Sequence, residues 1–359
     1  MSRGHVTLLG DANSVHVQRW VREMQQRGWT LSLVTARPQP IEGVEMHVLR
    51  PVRRTSDWLF RVDEARRAVA ALRPDILHAH YITSYGYLAA RCAHPRRVMT
   101  AWGTDLLVSP WRTPWLRWLT AWTLGRARWV SGDSADLLAA AERLCPATPR
   151  ALIHWGVDRS RFQPAPWAEK PALDIVSLRS WEPNYRIDLI LEAVAQLAAQ
   201  PGGLASPLHL HLLGGGSLAS ELREQVRRLG LSDRVTLHGR LDDAGMAAVM
   251  RRCKLSISVP LSDATSVSVL ESMACGLAVM ASDLPANRCW LAPRMLVPAG
   301  DGPGLGQRLM ALAADDAALR EEGQRNAERI ARDGDRRVQM DAVDRLYQAL
   351  MAGPGADRP

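Results

Sequence analysis

Lysine is almost missing from this chain. Lys170 and Lys254 are the only two, so arginine carries nearly all of the positive charge. Cysteine offers little chemistry. Cys92, Cys145, Cys253, Cys275 and Cys289 form no C-x-x-C pair and no Cys/His cluster. That argues against a zinc site or a disulfide framework, and reduced thiols are expected. No apolar run reaches the roughly 18 residues that a membrane span needs. Met1–Gly10 holds one short apolar stretch with no small-residue cleavage site after it, so no signal peptide and a cytoplasmic chain are expected. Helix-turn-helix, RNA-binding and zinc-finger signatures are absent, and no nucleic-acid partner is expected despite the basic balance. There is no internal repeat, no low-complexity tract and no convincing D-x-D metal pair.

What is present suits a globular protein. The 359 residues are 47% hydrophobic and 23% charged. At roughly 150 residues per domain this is room for two domains. The net charge of +8 favours contact with anionic lipid or a phosphorylated substrate.

Short β-rich runs alternate with helical patterns. Strands are expected at His5–Gly10, Leu31–Thr35, Asp75–His80, Arg97–Ala101 and Arg128–Ser131, with a first helix at Ser14–Arg27 closed by Gly28. The second half repeats the rhythm, with strands at Asp174–Leu178, Leu208–Leu213, Arg234–His238, Leu255–Val259 and Ala278–Ala281. Its helices are expected near 187–199, 217–229, 243–252 and 267–275. Such alternation predicts an α/β protein of two doubly wound parallel-sheet domains with right-handed crossovers. Proline-rich QPAPWAEKP places the boundary so that residues 1–163 form the first domain and 164–334 the second. A last helix over 335–351 is expected to cross back to the first domain, and 352–359 to fray. Ligands of such sheets bind beyond the carboxyl ends of the strands.

The most informative stretch runs from Ser258 to Arg288. Asp263 and Glu271 are separated by seven residues, the first in a loop, the second inside a helix capped by Thr265 or Ser266. A helix start offers free N–H groups and the positive end of a dipole, which suit phosphate. Taken by spacing alone, a turn-capping Asp263 and an ion-paired Glu271 are the favoured explanation of the pair. The wider pattern, Glu271-Ser-Met-Ala-Cys-Gly276 followed by the apolar LAVMAS, resembles the donor-site signature of the family 4 glycosyltransferases. His154-Trp-Gly-Val-Asp158 with Phe162 and Pro164, Leu212-Leu-Gly-Gly-Gly216, and Arg234-Val-Thr-Leu-His-Gly-Arg240 extend the resemblance over nearly the whole chain.

The resemblance implies the GT-B fold, two facing Rossmann-like domains with a deep cleft between them. It implies a retaining, metal-independent transfer of a hexose-type sugar, with no cofactor, from a UDP- or GDP-linked donor to a glycan or lipid-linked glycan in bacterial surface polysaccharide synthesis. By the same resemblance Asp263 contacts the transferred sugar, Glu271 the ribose, and Ser266, Val267 and Ser268 place amides near the phosphates. Gly214 and Gly215 approach the nucleotide, and His238, Gly239 and Arg240 meet the base. Arg179 fits the phosphate-binding arginine, and Arg186 stands in for a lysine expected at or near Tyr185-Arg186. Two departures stand out: Asp263 replaces a glutamate, and Pro285–Cys289 lacks a Gly-Gly pair.

In the first domain, the turn after the first strand holds Asn13, Ser14 and His16, expected at the acceptor, although Asn13 and Ser14 also suit a helix cap. His78 and His80 alternate onto one side of a strand end. The resemblance gives His80 a contact near the reacting carbon, so that His80, Asp263 and Arg179 form the expected catalytic set, and it places Tyr81 and Asp105 at the acceptor, with Asp105 alternatively orienting a neighbouring group or capping the next helical turn. Trp111, Trp115, Trp118 and Trp122 recur at helical spacing among Arg112 and Arg117. Packing inside the first domain is favoured for this stripe, while a peripheral contact with an anionic membrane at the inner face stays open. A nucleotide-sugar epimerase of the same fold and a non-catalytic nucleotide-sugar-binding partner are the competing functions.

Overall fold

A computed structural model of the chain describes residues 3–200, 206–263 and 265–353. They form two compact units, one of Met1–Trp155 with Arg337–Pro359, the other of Gly156–Arg336. The expected boundary at 163/164 is therefore corrected to 155/156. The reason is local: Val157 forms a parallel bridge to Asp335, and Phe162, 1% exposed, lies in the second unit's core. The expected tail lies, from residue 354 on, outside the described residues.

The first unit holds a seven-stranded parallel sheet. Its strands are β1 (His5–Leu9), β2 (Thr30–Thr35), β3 (Glu45–Val48), β4 (Ile76–His80), β5 (Arg97–Thr100), β6 (Trp129–Gly132) and β7 (Arg150–Leu152). Their order is β3-β2-β1-β4-β5-β6-β7. The helices are α1 (Val15–Gln26), α2 (Val62–Leu72), α3 (Tyr87–Arg91), α4 (Thr104–Leu107), α5 (Pro114–Leu124) and α6 (Ala135–Leu144). Helix α1 shows how the sequence builds them. The Ser14 hydroxyl accepts from the His16 N–H at its start, and Val17, Trp20, Val21 and Met24 form the buried stripe. Gly28, at φ +86°, ends it while the Trp29 N–H returns to the Met24 carbonyl.

The second unit holds a six-stranded parallel sheet of β8 (Leu173–Ser177), β9 (Leu208–Leu213), β10 (Val235–Gly239), β11 (Leu255–Ser258), β12 (Ala278–Ser282) and β13 (Leu296–Val297), in the order β10-β9-β8-β11-β12-β13. Its helices are α7 (Ile187–Ala198), α8 (Ala219–Arg228), α9 (Asp243–Met250), α10 (Val267–Ala274), α11 (Pro285–Arg288), α12 (Gly302–Ala313) and α13 (Asp316–Arg329). Strands such as β12 are buried along their full length, as sheets covered on both faces require.

Helix α14 (Arg336–Ala352) packs on the first unit. Met340, Val343, Leu346 and Tyr347 bury one face against Val6, Leu8, Trp20 and Trp29. The Tyr347 hydroxyl meets His78 Nδ1 at 2.5 Å and accepts from Trp20 Nε1 at 3.2 Å. No helix among the described residues is long and apolar enough to cross a membrane.

The tryptophan stripe corrects the favoured expectation. Trp122 packs against the first unit's core, but Trp111, Trp115 and Trp118 are 41%, 60% and 55% exposed. The inward face of α5 is made instead by Thr120, Thr123 and Leu124.

Candidate active site

Strand order reverses between β8 and β11 in the second unit, and the chain leaves both strands at the same edge. Such a switch point is where doubly wound sheets leave a crevice. Arg179 follows β8, and the loop after β11 carries Asp263 into α10. The two segments meet there. Arg179 Nη2 donates to Asp263 Oδ2 at 2.5 Å, and Nη1 donates to the hydroxyls of Ser266 and, at 3.0 Å, Ser268. The Tyr185 ring lies 4.4 Å from the guanidinium carbon. Arg179 is 8% exposed, and its Nε has no hydrogen-bond partner.

These contacts change the start of α10. Ser14, Thr113 and Ser134 cap their own helices with a side-chain oxygen. Ser266 does not: its hydroxyl is turned to Arg179 and Ser268. The first amides of α10 are left without that cap, next to a guanidinium, and the helix dipole adds to the positive field. Glu271 lies one turn further along α10, buried at 4% exposure.

The glycines after β9 pack on the same loop. A Cβ on Gly214, whose φ is +147°, would sit 2.3 Å from the Arg179 carbonyl oxygen, and one on Gly216 would sit 2.3 Å from that of Trp181. Arg240 reaches back over Gly215. Gly239 holds φ +73°, and the His238 ring meets His211 Nδ1 at 3.0 Å, beside a histidine run that continues to His209. Burial lowers the basicity of His238 and His209.

Arg186 does not join the cluster. It forms a bidentate pair with Asp188, at 2.8 Å and 3.0 Å, which raises its pKa and takes up its charge. The place expected for a second phosphate cation is filled by the ring of Tyr185, which buttresses Arg179. Tyr185 was missed as a site residue. Its signal was that it stands where a lysine was sought.

The first unit reverses its strand order between β1 and β4. A cavity of about 610 Å³ lies in this unit, lined among others by Asp11, His80, Tyr81, Ser84, Trp102 and Arg112. His80 is 1% exposed. Trp102 Nε1 donates to its Nδ1 at 3.4 Å, which assigns the ring proton to Nε2, and Nε2 has no partner. Burial, then the nearby His16, lowers the His80 pKa to about 3, so the ring is a neutral donor. His78, on the same side of the strand, is a core group, held by Tyr347 and by Thr100 Oγ1 at 2.8 Å.

The other expected acceptor residues divide. Tyr81, at φ +75°, bonds through its hydroxyl to Thr104 Oγ1 at 2.7 Å on the cavity wall. His16 packs on Trp155 and Trp102, with ring centroids 4.6 Å and 5.6 Å away. Asn13 is exposed, and its N–H donates to Asp11 Oδ1 at 3.0 Å, while the Ser14 hydroxyl is committed to capping α1. Asp105 takes the orienting role among those expected for it. It is fully buried, and it accepts from the N–H groups of Ile82, Trp102 and Gly103 at 2.7–3.0 Å. Burial raises its pKa against the lowering effect of those bonds. It fixes the two loops that line the cavity rather than meeting an acceptor. Arg112, also missed, lines the same cavity. Its signal was a cation interleaved with the tryptophan stripe.

Residues 5–134 match the family described as glycosyl transferase 4-like, and residues 173–315 match the glycosyl transferases group 1. Together the two matches cover most of the chain. It belongs to the family 4 glycosyltransferases. This family 4 chain is 31% identical over 175 residues to a phosphatidyl-myo-inositol mannosyltransferase of Mycobacterium leprae, an alignment covering 47% of the chain and 44% of that protein. It spans less than half the length of that relative. Among solved structures, sucrose-phosphate synthase from Thermosynechococcus elongatus superimposes with a TM-score of 0.81 at 18% identity, covering 98% of this chain and 100% of that one. Anabaena HepE in complex with UDP gives 0.76 at 14% identity, with 97% and 99% covered, and its complex with UDP-glucose gives 0.74. The fold is GT-B.

Proposed function

We propose that this family 4 chain transfers a hexose-type sugar from a nucleotide diphosphate sugar to a hydroxyl of a glycan or lipid-linked glycan, with retention at the anomeric carbon. The reading places it at the cytoplasmic side of a bacterial membrane, in surface polysaccharide synthesis. One observation carries the chemistry: Arg179, Ser266, Ser268 and Asp263 are already joined at the uncapped start of α10, where the second sheet reverses. A UDP-glucose complex of a protein of the same fold supports a nucleotide-sugar donor.

In this reading the donor pyrophosphate takes the place of Asp263 on Arg179. Departure of the nucleotide diphosphate builds negative charge on its terminal phosphate. The guanidinium and the amides at the head of α10 stabilise that charge, and because they are fixed beforehand they need no reorganisation during the step. Asp263, released from Arg179, turns to the sugar, and Glu271 holds the ribose. The acceptor hydroxyl attacks the face that the diphosphate leaves, and a phosphate oxygen takes its proton. His80 Nε2–H, the unpaired donor of the first unit's cavity, serves a sugar or acceptor oxygen.

A thermal-shift screen with UDP-, GDP- and ADP-sugars, followed by product analysis with and without glycan acceptors, tests the proposal. A ligand that binds only the folded state raises Tm with its occupancy. The expected result is a shift with one nucleotide class, abolished by Arg179→Ala, and transfer that requires acceptor. Epimerised donor in the absence of acceptor, or binding with no turnover against any acceptor, would favour the competing functions.

A further inference from the structure

The segment Leu107–Trp118 carries an apolar face that is exposed among the described residues. Leu107, Val108, Trp111, Trp115 and Trp118 are each 39–60% exposed. Trp115 and Trp118 stack on one another at 5.0 Å, and Arg117 and Arg143 lie over the Trp111 ring at 5.0 Å and 5.7 Å. Single exposed apolar side chains are ordinary, but a contiguous set marks a contact surface.

Its charge says what kind of partner it fits. From Leu106 to Gly132 the sequence has no aspartate or glutamate, while Arg112, Arg117, Arg126 and Arg128 fall in that span. On the adjoining α6, Glu142 is paired with Arg150, and Asp136 in the first turn is that helix's other acid. Tryptophan with arginine is the composition of a water–lipid boundary, since an indole has an apolar body and one polar N–H, and an arginine can lay its stem on apolar surface while its head meets phosphate. A protein partner would have to bring carboxylates of its own to meet these cations.

We propose that the Leu107–Trp118 face docks on the surface of an anionic lipid bilayer, with the indoles at headgroup depth and the arginines on lipid phosphates. Ser109, Arg112 and Leu116 of the same segment line the first unit's cavity. Docking therefore sets the cavity mouth beside the membrane, where a lipid-linked acceptor would present its polar end. That last step rests on the proposed transfer, whereas the docking itself does not.

The full chain is tested by sedimentation with vesicles of phosphatidylcholine alone and of phosphatidylcholine with phosphatidylglycerol. Binding to the anionic vesicles, weakened by salt, is expected. The double variant Trp115→Ser, Trp118→Ser should lose at least about tenfold in partitioning, since both burial of apolar area and charge set such binding. Both side chains are exposed, so its Tm and nucleotide-induced thermal shift should match wild type, and Val48→Ser, on another exposed apolar residue, should bind vesicles normally. No binding to anionic vesicles, or unchanged binding by the double variant, overturns the proposal. So does a dimer, seen by analytical ultracentrifugation without vesicle binding, that the same two substitutions dissolve. None of these failures touches the nucleotide shift that tests sugar transfer.

Discussion

Arg179 holds three acceptors at once, and each is a residue that a phosphate group would replace or adjoin. Its removal should lower kcat/KM for transfer by about 10²- to 10³-fold, the loss usual for one preorganised group at a developing negative charge. Asp263→Asn should act in opposite directions on binding and turnover. Freeing Arg179 of a partly exposed ion pair should tighten free nucleotide diphosphate by about fivefold in calorimetry, while transfer falls. In the first unit, His78 and His80 are buried with pKa values pushed below the ordinary 6.5, His80 to about 3. The unfolded chain therefore binds more protons than the folded one once pH falls through about 6.5, and stability must decline as pH drops further towards the folded values. Melting curves between pH 8 and pH 4, in the range these shifts define, should show that decline, and it should lessen in His78→Gln. Arg179, Asp263 and the serines were readable as candidates through the motifs that resemble the family 4 donor site, whereas spacing alone did not single them out. The commitment of Arg186 to Asp188 was not readable, since it depends on Arg186 taking a left-handed backbone, φ +49°, at the start of α7.

At the scale of elements, loops hold the strand ends in place, and two of them lend themselves to test. The fully buried carboxylate of Asp105 accepts from three loop N–H groups. Asp105→Ala should cost about 3 kcal/mol or more, because buried donors are left unpaired. That lowers the first unit's melting temperature by roughly 6–12 °C. Gly214→Ala should leave the fold standing but push the Arg179 main chain aside, lowering transfer by about 10²-fold as misplaced groups do. Strongly patterned elements were legible in the sequence: α1, with its Ser14 cap and Gly28 stop, and β12, apolar but for Ser282. The strands missed were β3, β7 and β13, which are four, three and two residues long. All three are edge strands: β3 and β7 have no fully buried residue and so give no apolar run, and β13 is too short to show one. The tryptophan stripe was misjudged for a related reason. Periodicity shows that residues share a face of a helix, but not whether that face meets the core.

At the scale of the whole molecule, the chain divides its first unit between its two ends. Tyr347 is fully buried, with its hydroxyl on His78 and its ring at 5.4 Å from Trp29, and Asp344 accepts from Trp29 Nε1 at 2.7 Å. Tyr347→Ala should cost about 3–5 kcal/mol by the cavity it leaves, read by chemical denaturation of the first unit. A ribosome reaches α14 only after making the entire second unit, a wait of about 10–40 s at ordinary elongation rates. Throughout that interval Trp20, Trp29 and His78 lack their cover, so the portion synthesised first is completed last, and a nascent chain stalled anywhere before residue 337 presents that bare aromatic surface to whatever binds unfinished proteins.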